Sequence, residues 1–410
     1  MPIDDLWYLK RLDPATGKPM RSSRHGRGKR WRVRWEDPET AEVKTLAFER
    51  KPDAVREDNK IQADIIRGQY IDPSAGRQTV AEYAEEWRKQ RITSTGTEES
   101  LERYIRLHVV PVMGGKPMLA VRSGTIKDWI QNRLHHADRP LAPATIHNIY
   151  HLVLRPMFEQ AITDRVIGRT PCTGITLPKL PKGTYVVPTG DVVMRIVNSM
   201  PAEYRAAVLL AAGCGWRTAE VLGLEVDGVD FLRRVVHVRH QLREWQTGLP
   251  SLAPPKSATS TRKTELPVIV GEALAWHIQN FVNAEPITLP DRTIPSRPKQ
   301  RTARLLFLDH RGLPMRRGRW SQIWRAACKK ADVPSGVYTM RSLRHFFATT
   351  LIYAGKNVKT VQLACGHATP TVTLNTYLGY WPDNEEDSTR SLLDKALAVP
   401  TPRAAGKSLV

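Results

Sequence analysis

Cysteine is scarce in this 410-residue chain: four residues, Cys172, Cys214, Cys328 and Cys365, lie far apart and form no CxxC pair. Such a set builds neither a disulfide framework nor a thiolate zinc site, and it implies reduced thiols in a reducing compartment. Long apolar runs are missing too. The longest, Ala206 to Trp216 between Arg205 and Arg217, falls well short of the ~20 residues that span a bilayer. The opening MPIDDLWYLKR carries two acids where a secretory leader carries bases, and no apolar core follows it, so the expected location is the cytoplasm and no membrane partner is expected. Acid is in short supply: 41 Asp and Glu face 62 Lys and Arg, a formal charge of +21. That imbalance calls for a polyanionic partner, most simply nucleic acid. His237 and His240 form an HxxH in the strand-like run VVHVRHQL. Residues three apart on a strand face opposite ways, so ordinary sheet histidines are expected and no metal site.

The length suits two or three domains, and a hydrophobic content of 41 % excludes wholesale disorder. In RWRVRW, Trp31, Val33 and Trp35 alternate with Arg30, Arg32 and Arg34, a half-buried strand with a basic outer face. From Arg21 to Arg34 there are seven Lys or Arg and no acid. The turn signals DPATG and DPET imply a small sheet of short antiparallel strands, followed by a helix over 52–67 that ends at Gly68. We expect Arg30, Arg32 and Arg34 to lie on DNA; the alternative is a solvated hairpin.

Thr79 and Glu82 make a capping box ahead of Val80, Tyr83, Ala84 and Trp87, which have helical spacing. More helices follow at 101–110, 125–134 and 146–157, the last expected to kink or end at Pro156. Pro178, Pro181 and Pro188 mark a linker. Beyond it the spacing predicts helices at 191–200, 203–224, 272–283, 318–331, 342–354 and 357–365, and strands at 235–242 and 264–270. The proline-rich stretch 285–303 reads as a loop, and STRSLLDKALA near the end as a last helix before a tail. Trp216, Trp320 and Trp324 lie near basic residues, but core packing is their expected use.

Four features of the C-terminal half carry chemistry. GCGWRTAEVLGLEVDGVDF holds Arg217 at a helix start with Glu220 one turn on; PPKSATSTRKTELP puts Lys256 in a turn between strands. TMRSLRHFFATTLIYAG carries Arg341 and Arg344 three apart on one helix face, and CGHATPTVTLNTYLGY sets Gly366 and His367 ahead of Tyr377 and Tyr380. Attack on a phosphodiester builds negative charge on the nonbridging oxygens, and fixed guanidinium groups meet it better than lysines do. A tyrosine can hold the phosphate as an ester if its phenol is helped to lose its proton.

In order and approximate spacing these boxes resemble the tyrosine recombinase (phage integrase) family. The first is similar to G-x-R-x-x-E-x-x-x-L, the third to H-x-x-R-H-x-F-A-T and the fourth to L-G-H-x(5)-T-x-x-x-Y. The resemblance implies a multidomain, lambda-type integrase: a small β-sheet arm-binding domain over 1–72, an all-α core-binding bundle over 76–176, a linker over 177–190, a mainly helical α+β catalytic domain over 191–397 and a flexible tail over 398–410. It implies Arg217 and Arg344 as phosphate-binding cations, Tyr377 as nucleophile, Lys256 as proton donor to the leaving 5′ oxygen with Lys263 as the alternative, and His367 as a phosphate donor. Glu220 would orient its neighbours or form a plain salt bridge. The family's usual histidine, credited with taking the tyrosine's proton, is replaced by Arg341, which cannot act as a base; the proton acceptor is left open. The implied activity is site-specific recombination without metal or nucleotide cofactor, integrating and excising a phage or mobile element in a bacterial cytoplasm. Its partners would be double-stranded attachment sites and a homotetramer, with a host DNA-bending protein and an excision factor as further candidates. A type IB topoisomerase-like enzyme and a DNA-binding regulator on a decayed recombinase fold are the alternatives.

Overall fold

The computed structural model describes residues 3–381 except 15, 39, 69, 73–74, 137, 182–185, 245–248, 283–284, 295–296 and 335. The helix expected in STRSLLDKALA and the tail fall outside the described residues. The chain forms two compact units, Met1–Lys182 and Gly183–Val410.

In the first unit the alternation of RWRVRW becomes strand β4. The strands run β1 (Asp4–Asp5), β2 (Tyr8–Leu12), β3 (Pro19–Arg21), β4 (Trp31–Glu36) and β5 (Val43–Phe48), in an antiparallel β1-β4-β5 sheet and a separate β2-β3 ribbon. Val33 and Trp35 turn inward onto helix α1 (Lys51–Ile66), with Ala54, Ile61 and Tyr70 in the same cluster. Gly68, at φ +67°, lets the chain turn after the helix.

A second cluster gathers helices α2 (Val80–Gln90), α3 (Thr95–Tyr104), α4 (Val110–Met113), α5 (Ser123–Gln131), α6 (Pro143–Ile149) and α7 (Arg155–Thr163). The capping box at Thr79 forms: its hydroxyl accepts from the Glu82 N–H while the Glu82 carboxylate accepts from the Thr79 N–H. Pro156 does not end its helix. The segments Ile105–Val109 and Tyr150–Leu154 are π-helical, and each runs directly into a helix with a proline in its first turn, Pro111 in α4 and Pro156 in α7. Proline offers no N–H, and the wider π register carries the helix past it.

The second unit begins with helices α8 (Gly190–Ser199), α9 (Arg205–Cys214) and α10 (Thr218–Leu222). The helix expected over 203–224 is therefore broken, because Gly215 adopts the left-handed conformation (φ +66°) and caps α9, and Arg217 starts α10. Two small sheets follow. Strands β6 (Val229–Asp230), β7 (Val235–Val238) and β10 (Arg262–Glu265) line up as β10-β7-β6; β8 (Gln241–Arg243), β9 (Ser251–Ala253), β11 (Ile287–Asp291) and β12 (Lys299–Ala303) as β12-β11-β9-β8. The strand expected over 235–242 is thus divided between two sheets. The one expected over 264–270 stops at Glu265, because Pro267 opens helix α11 (Val268–Phe281) and the β-branched Val268 and Ile269 form its exposed first turn. The stretch read as a loop over 285–303 is an antiparallel pair, β11 with β12, in which Leu289 and Asp291 are buried. Its prolines hid that period-2 pattern.

Helices α12 (Arg317–Lys330), α13 (Met340–Tyr353), α14 (Val358–Cys365) and α15 (Pro370–Tyr377) complete the unit. Helix α9 is its axis: Ala206, Ala207, Val208, Leu210 and Ala211 are all buried, and α11 and α13 pack on it. Trp216, Trp320 and Trp324 are core residues of the same cluster. All four cysteines are free and buried, and burial pushes the Cys172, Cys214 and Cys328 thiols up to about 11, about 12 and about 11.

Candidate active site

Two helices of the second unit end in left-handed glycines, and each glycine carbonyl holds an arginine. The carbonyl of Gly215, closing α9, accepts from Arg344 Nη1 at 2.7 Å. That of Gly366, closing α14, accepts from Arg217 Nη2 at 3.1 Å. Carbonyls at a helix C-terminus carry partial negative charge, so both guanidinium groups are held where cations are favoured. The glycines are required, since a Cβ on Gly215 would lie 2.3 Å from the Phe347 ring and one on Gly366 3.0 Å from Arg262 Nη1.

Glu220 joins this pair from beneath. Its Oε1 accepts from Arg217 Nη1 at 2.6 Å, and its Oε2 from the Arg217 backbone N–H at 3.0 Å and Arg262 Nη2 at 3.1 Å. Burial alone would raise the Glu220 pKa, but Arg262, Arg217 and the backbone donor outweigh it and keep the carboxylate ionised below the usual range. Arg217 Nη1 also donates to Ser260 Oγ at 3.2 Å, and Arg262 to the Ala364 carbonyl at 3.1 Å. Arg262 and Ser260 went unread in the sequence; each lies some forty residues from its partner, and only folding reveals them.

Arg344 is 6 % exposed, and its Nη2 has no hydrogen-bond partner among the described residues. Burial, and then the charges of Arg217 and Arg262, lower its pKa to about 10, so it stays cationic at neutral pH. A buried cation with a donor to spare is arranged to receive an anion.

Tyr377, the last residue of α15, is 1 % exposed, and its hydroxyl lies 2.9 Å from Nδ1 of His345 on α13. His367 stacks on the tyrosine ring, with centroids 6.2 Å apart and planes 21° off parallel, while its Nδ1 meets Thr373 Oγ1 at 2.8 Å. Gln362 Nε2 donates to the His367 carbonyl and fixes that turn. Burial, then Arg341 and Arg344, pushes His345 down to about 4. Burial, then Arg344, Arg217, Arg262 and His345, pushes His367 down to about 3. Both imidazoles are neutral at pH 7. Tyr380, in the turn after α15, is half-buried with its ring 6.4 Å from that of Tyr377.

Arg217, Glu220, Arg344, His367 and Tyr377 thus belong to one cluster. Arg341 is exposed at the first turn of α13, while Arg344 one turn on is buried, so the two share a side but not a depth. Lys256 is exposed in the connection from β9 to β10, next to Ser257, whose hydroxyl bonds Ser260. Lys263 sits in regular register in β10 opposite His237. His345 was not singled out from the sequence, although the residue directly after Arg344 in an RH pair was the signal to follow. His240 Nδ1 meets Glu225 at 2.8 Å beside Arg301, in an ion network. Among the described residues no cluster of three or more His, Cys, Asp or Glu is placed to hold a metal ion, and no helix is long and apolar enough to cross a membrane.

In the first unit two of the three arginines expected on the basic face are ion-paired within the sheet. Arg30 lies just before β4, pairs with Asp5 at 2.8 Å and stacks over Trp7, Tyr8 and Trp31. Arg32 pairs with Asp4 at 2.9 Å, and Arg34 is exposed. The two acids come from β1, which pairs with β4.

The family model described as "Phage integrase family" matches residues 189–380. The putative prophage phiRv2 integrase of Mycobacterium tuberculosis is 24 % identical over 224 residues, 53 % of this chain and 56 % of that one; the chain thus spans a little over half the length of that curated relative. Among solved structures, the Tn1549 transposon integrase in complex with a circular intermediate DNA superposes with a TM-score of 0.64 at 23 % identity, covering 78 % of this chain and 98 % of that one. The lambda integrase tetramer bound to a Holliday junction gives 0.52 at 16 %, covering 82 % and 93 %. Residues 189–380 thus match the phage integrase family, and the chain shares the fold of the solved integrases.

Proposed function

We propose that the chain is a site-specific DNA recombinase that integrates a phage or mobile element, breaking and rejoining DNA through a 3′-phosphotyrosine on Tyr377. The observation that carries this reading is the convergence of Arg217, Arg344, His367 and Tyr377 on one buried cluster, with the Arg344 Nη2 donor unengaged. Arg217 and Arg344 bind the nonbridging oxygens as negative charge grows on them, and their helix-end carbonyls hold them in place beforehand. His367 adds a donor or positions the phosphate. Tyr377 Oη attacks phosphorus, the P–O5′ bond breaks, and Lys256 gives the leaving oxygen its proton. The freed 5′ hydroxyl of a partner duplex reverses the step, so bond energy is conserved without a nucleotide.

The proposed organisation is an arm-binding domain over 1–72, a core-binding bundle over 76–176, a linker over 177–190, the catalytic domain over 191–397 and a tail over 398–410. Separate hydrophobic clusters around Val33 and around Trp129 support dividing the first unit in this way. We place the protein on double-stranded attachment sites in a bacterial cytoplasm, acting as a tetramer with a host DNA-bending protein and an excision factor. The tetrameric assembly of the lambda integrase supports the stoichiometry.

The test is a suicide duplex nicked beside the scissile phosphate, with covalent complexes counted on a denaturing gel. Wild type and Tyr380→Phe form the complex, and Tyr377→Phe does not. A wild type that binds the site yet never becomes attached sinks the reading and leaves a DNA-binding regulator.

A further inference from the structure

We infer that His345 is the proton acceptor for the Tyr377 hydroxyl, the role that Arg341 cannot fill. The inference rests on the proposed phosphotyrosine chemistry. The hydroxyl and Nδ1 are 2.9 Å apart between two buried side chains, the distance and setting of a proton about to be shared. The other candidates are engaged or unsuited. His367 lies nearly parallel to the phenol ring with its Nδ1 on Thr373, so its in-plane lone pair is not aimed at the hydroxyl. Glu220 is held by Arg217 and Arg262. Arg341 is exposed and carries a guanidinium, which keeps its proton. The charged and titratable groups facing His345 are Arg341 and Arg344 on its own helix, His367 in the turn between α14 and α15, and Tyr377 on α15. Burial and the two arginines keep the ring neutral, as a base must be.

In the step, His345 carries its hydrogen on Nε2 and a lone pair on Nδ1. As Tyr377 Oη bonds to phosphorus, its proton passes to Nδ1 and the P–O5′ electron pair leaves with the 5′ oxygen, which takes a separate proton from Lys256. On rejoining, the imidazolium returns the proton to the departing Oη, so nothing is consumed.

The experiment uses the full chain and the nicked duplex, with His345→Ala, the near-isosteric His345→Asn, Lys256→Ala and Tyr377→Phe. Gel shift and thermal melting verify that each binds and folds, and single-turnover attachment is followed against pH. Both His345 variants should attach about 10²-fold or more slowly. They should also lose the limb in which the wild-type rate falls with acid as His345 protonates. A duplex with sulfur at the 5′ bridging position gives a leaving group that needs no proton; it should restore Lys256→Ala and leave both His345 variants slow. The inference is overturned if His345→Asn, which can hold the hydroxyl but not take its proton, attaches at the wild-type rate and with the wild-type pH profile. It is overturned equally if the sulfur duplex restores the His345 variants, since the histidine would then serve the leaving group. A wild type with no attachment at any pH removes the phosphotyrosine reading itself, and this inference with it.

Discussion

His345 and His367 enter the unfolded chain with an ordinary histidine pKa near 6.5 and are held at about 4 and about 3 in the fold. Below pH ~6.5 the unfolded state binds protons that the native state refuses, so the stability they contribute is whole above that pH and drains away as pH falls towards the folded values. Each withheld proton is worth on the order of a few kcal/mol. Urea midpoints of the DNA-free protein should therefore fall steadily from pH 6.5 to pH 4, and His367→Gln should flatten the slope; an unchanged slope would mean the ring is protonated in the native state. The residue scale is also where the sequence was least complete. Arg217, Arg344, His367 and Tyr377 stand in short boxes, each confined to one helix or to a helix and the turn beside it. The meeting of His345 with Tyr377 joins residues 32 apart on different helices, a pairing that no local periodicity encodes.

At the scale of elements, the break after α9 is the decisive local event. Gly215→Ala would place a Cβ against the Phe347 ring in a left-handed backbone, costing about 1–2 kcal/mol for the conformation alone and more for the clash. The expected outcome is a lower urea midpoint together with slower covalent attachment, because the carbonyl that seats Arg344 shifts with the turn. Unchanged stability would show that the turn tolerates a side chain. Hydrophobic periodicity runs through this point, so 203–224 reads as one helix although a single φ angle divides it. The same limit explains Val268 and Ile269, β-branched residues that announce a strand but follow Pro267 into a helix, and β11, where Pro290 and the preceding Pro286 mask alternation. Helices α1 and α13 were legible within a residue or two, because apolar spacing there agrees with the tertiary packing.

For the whole molecule, the charge of +21 would make the proposed association with DNA steeply dependent on salt. Its distribution is more selective than the total. Asp4 and Asp5 engage Arg32 and Arg30, which leaves Arg34 as the exposed cation of that row. If Arg34 meets a phosphate, Arg34→Ala should reduce the slope of log K against log salt by about one, whereas Arg32→Ala should change it less and destabilise the sheet instead. Equal slopes for wild type and Arg34→Ala would take this strand off the DNA.

Arg344 hangs from the helix that precedes Arg217, and Arg217 from the helix that follows Arg344. The two supports are crossed like the hands of partners in a reel, each steadied by the other's side. Divide the chain anywhere between α11 and α13 and each arginine is parted from the glycine carbonyl that holds it. If the proposed chemistry holds, a half-made protein, still emerging from its ribosome or trimmed by a protease, is chemically mute, and competence to cut arrives only once α13 to α15 have closed.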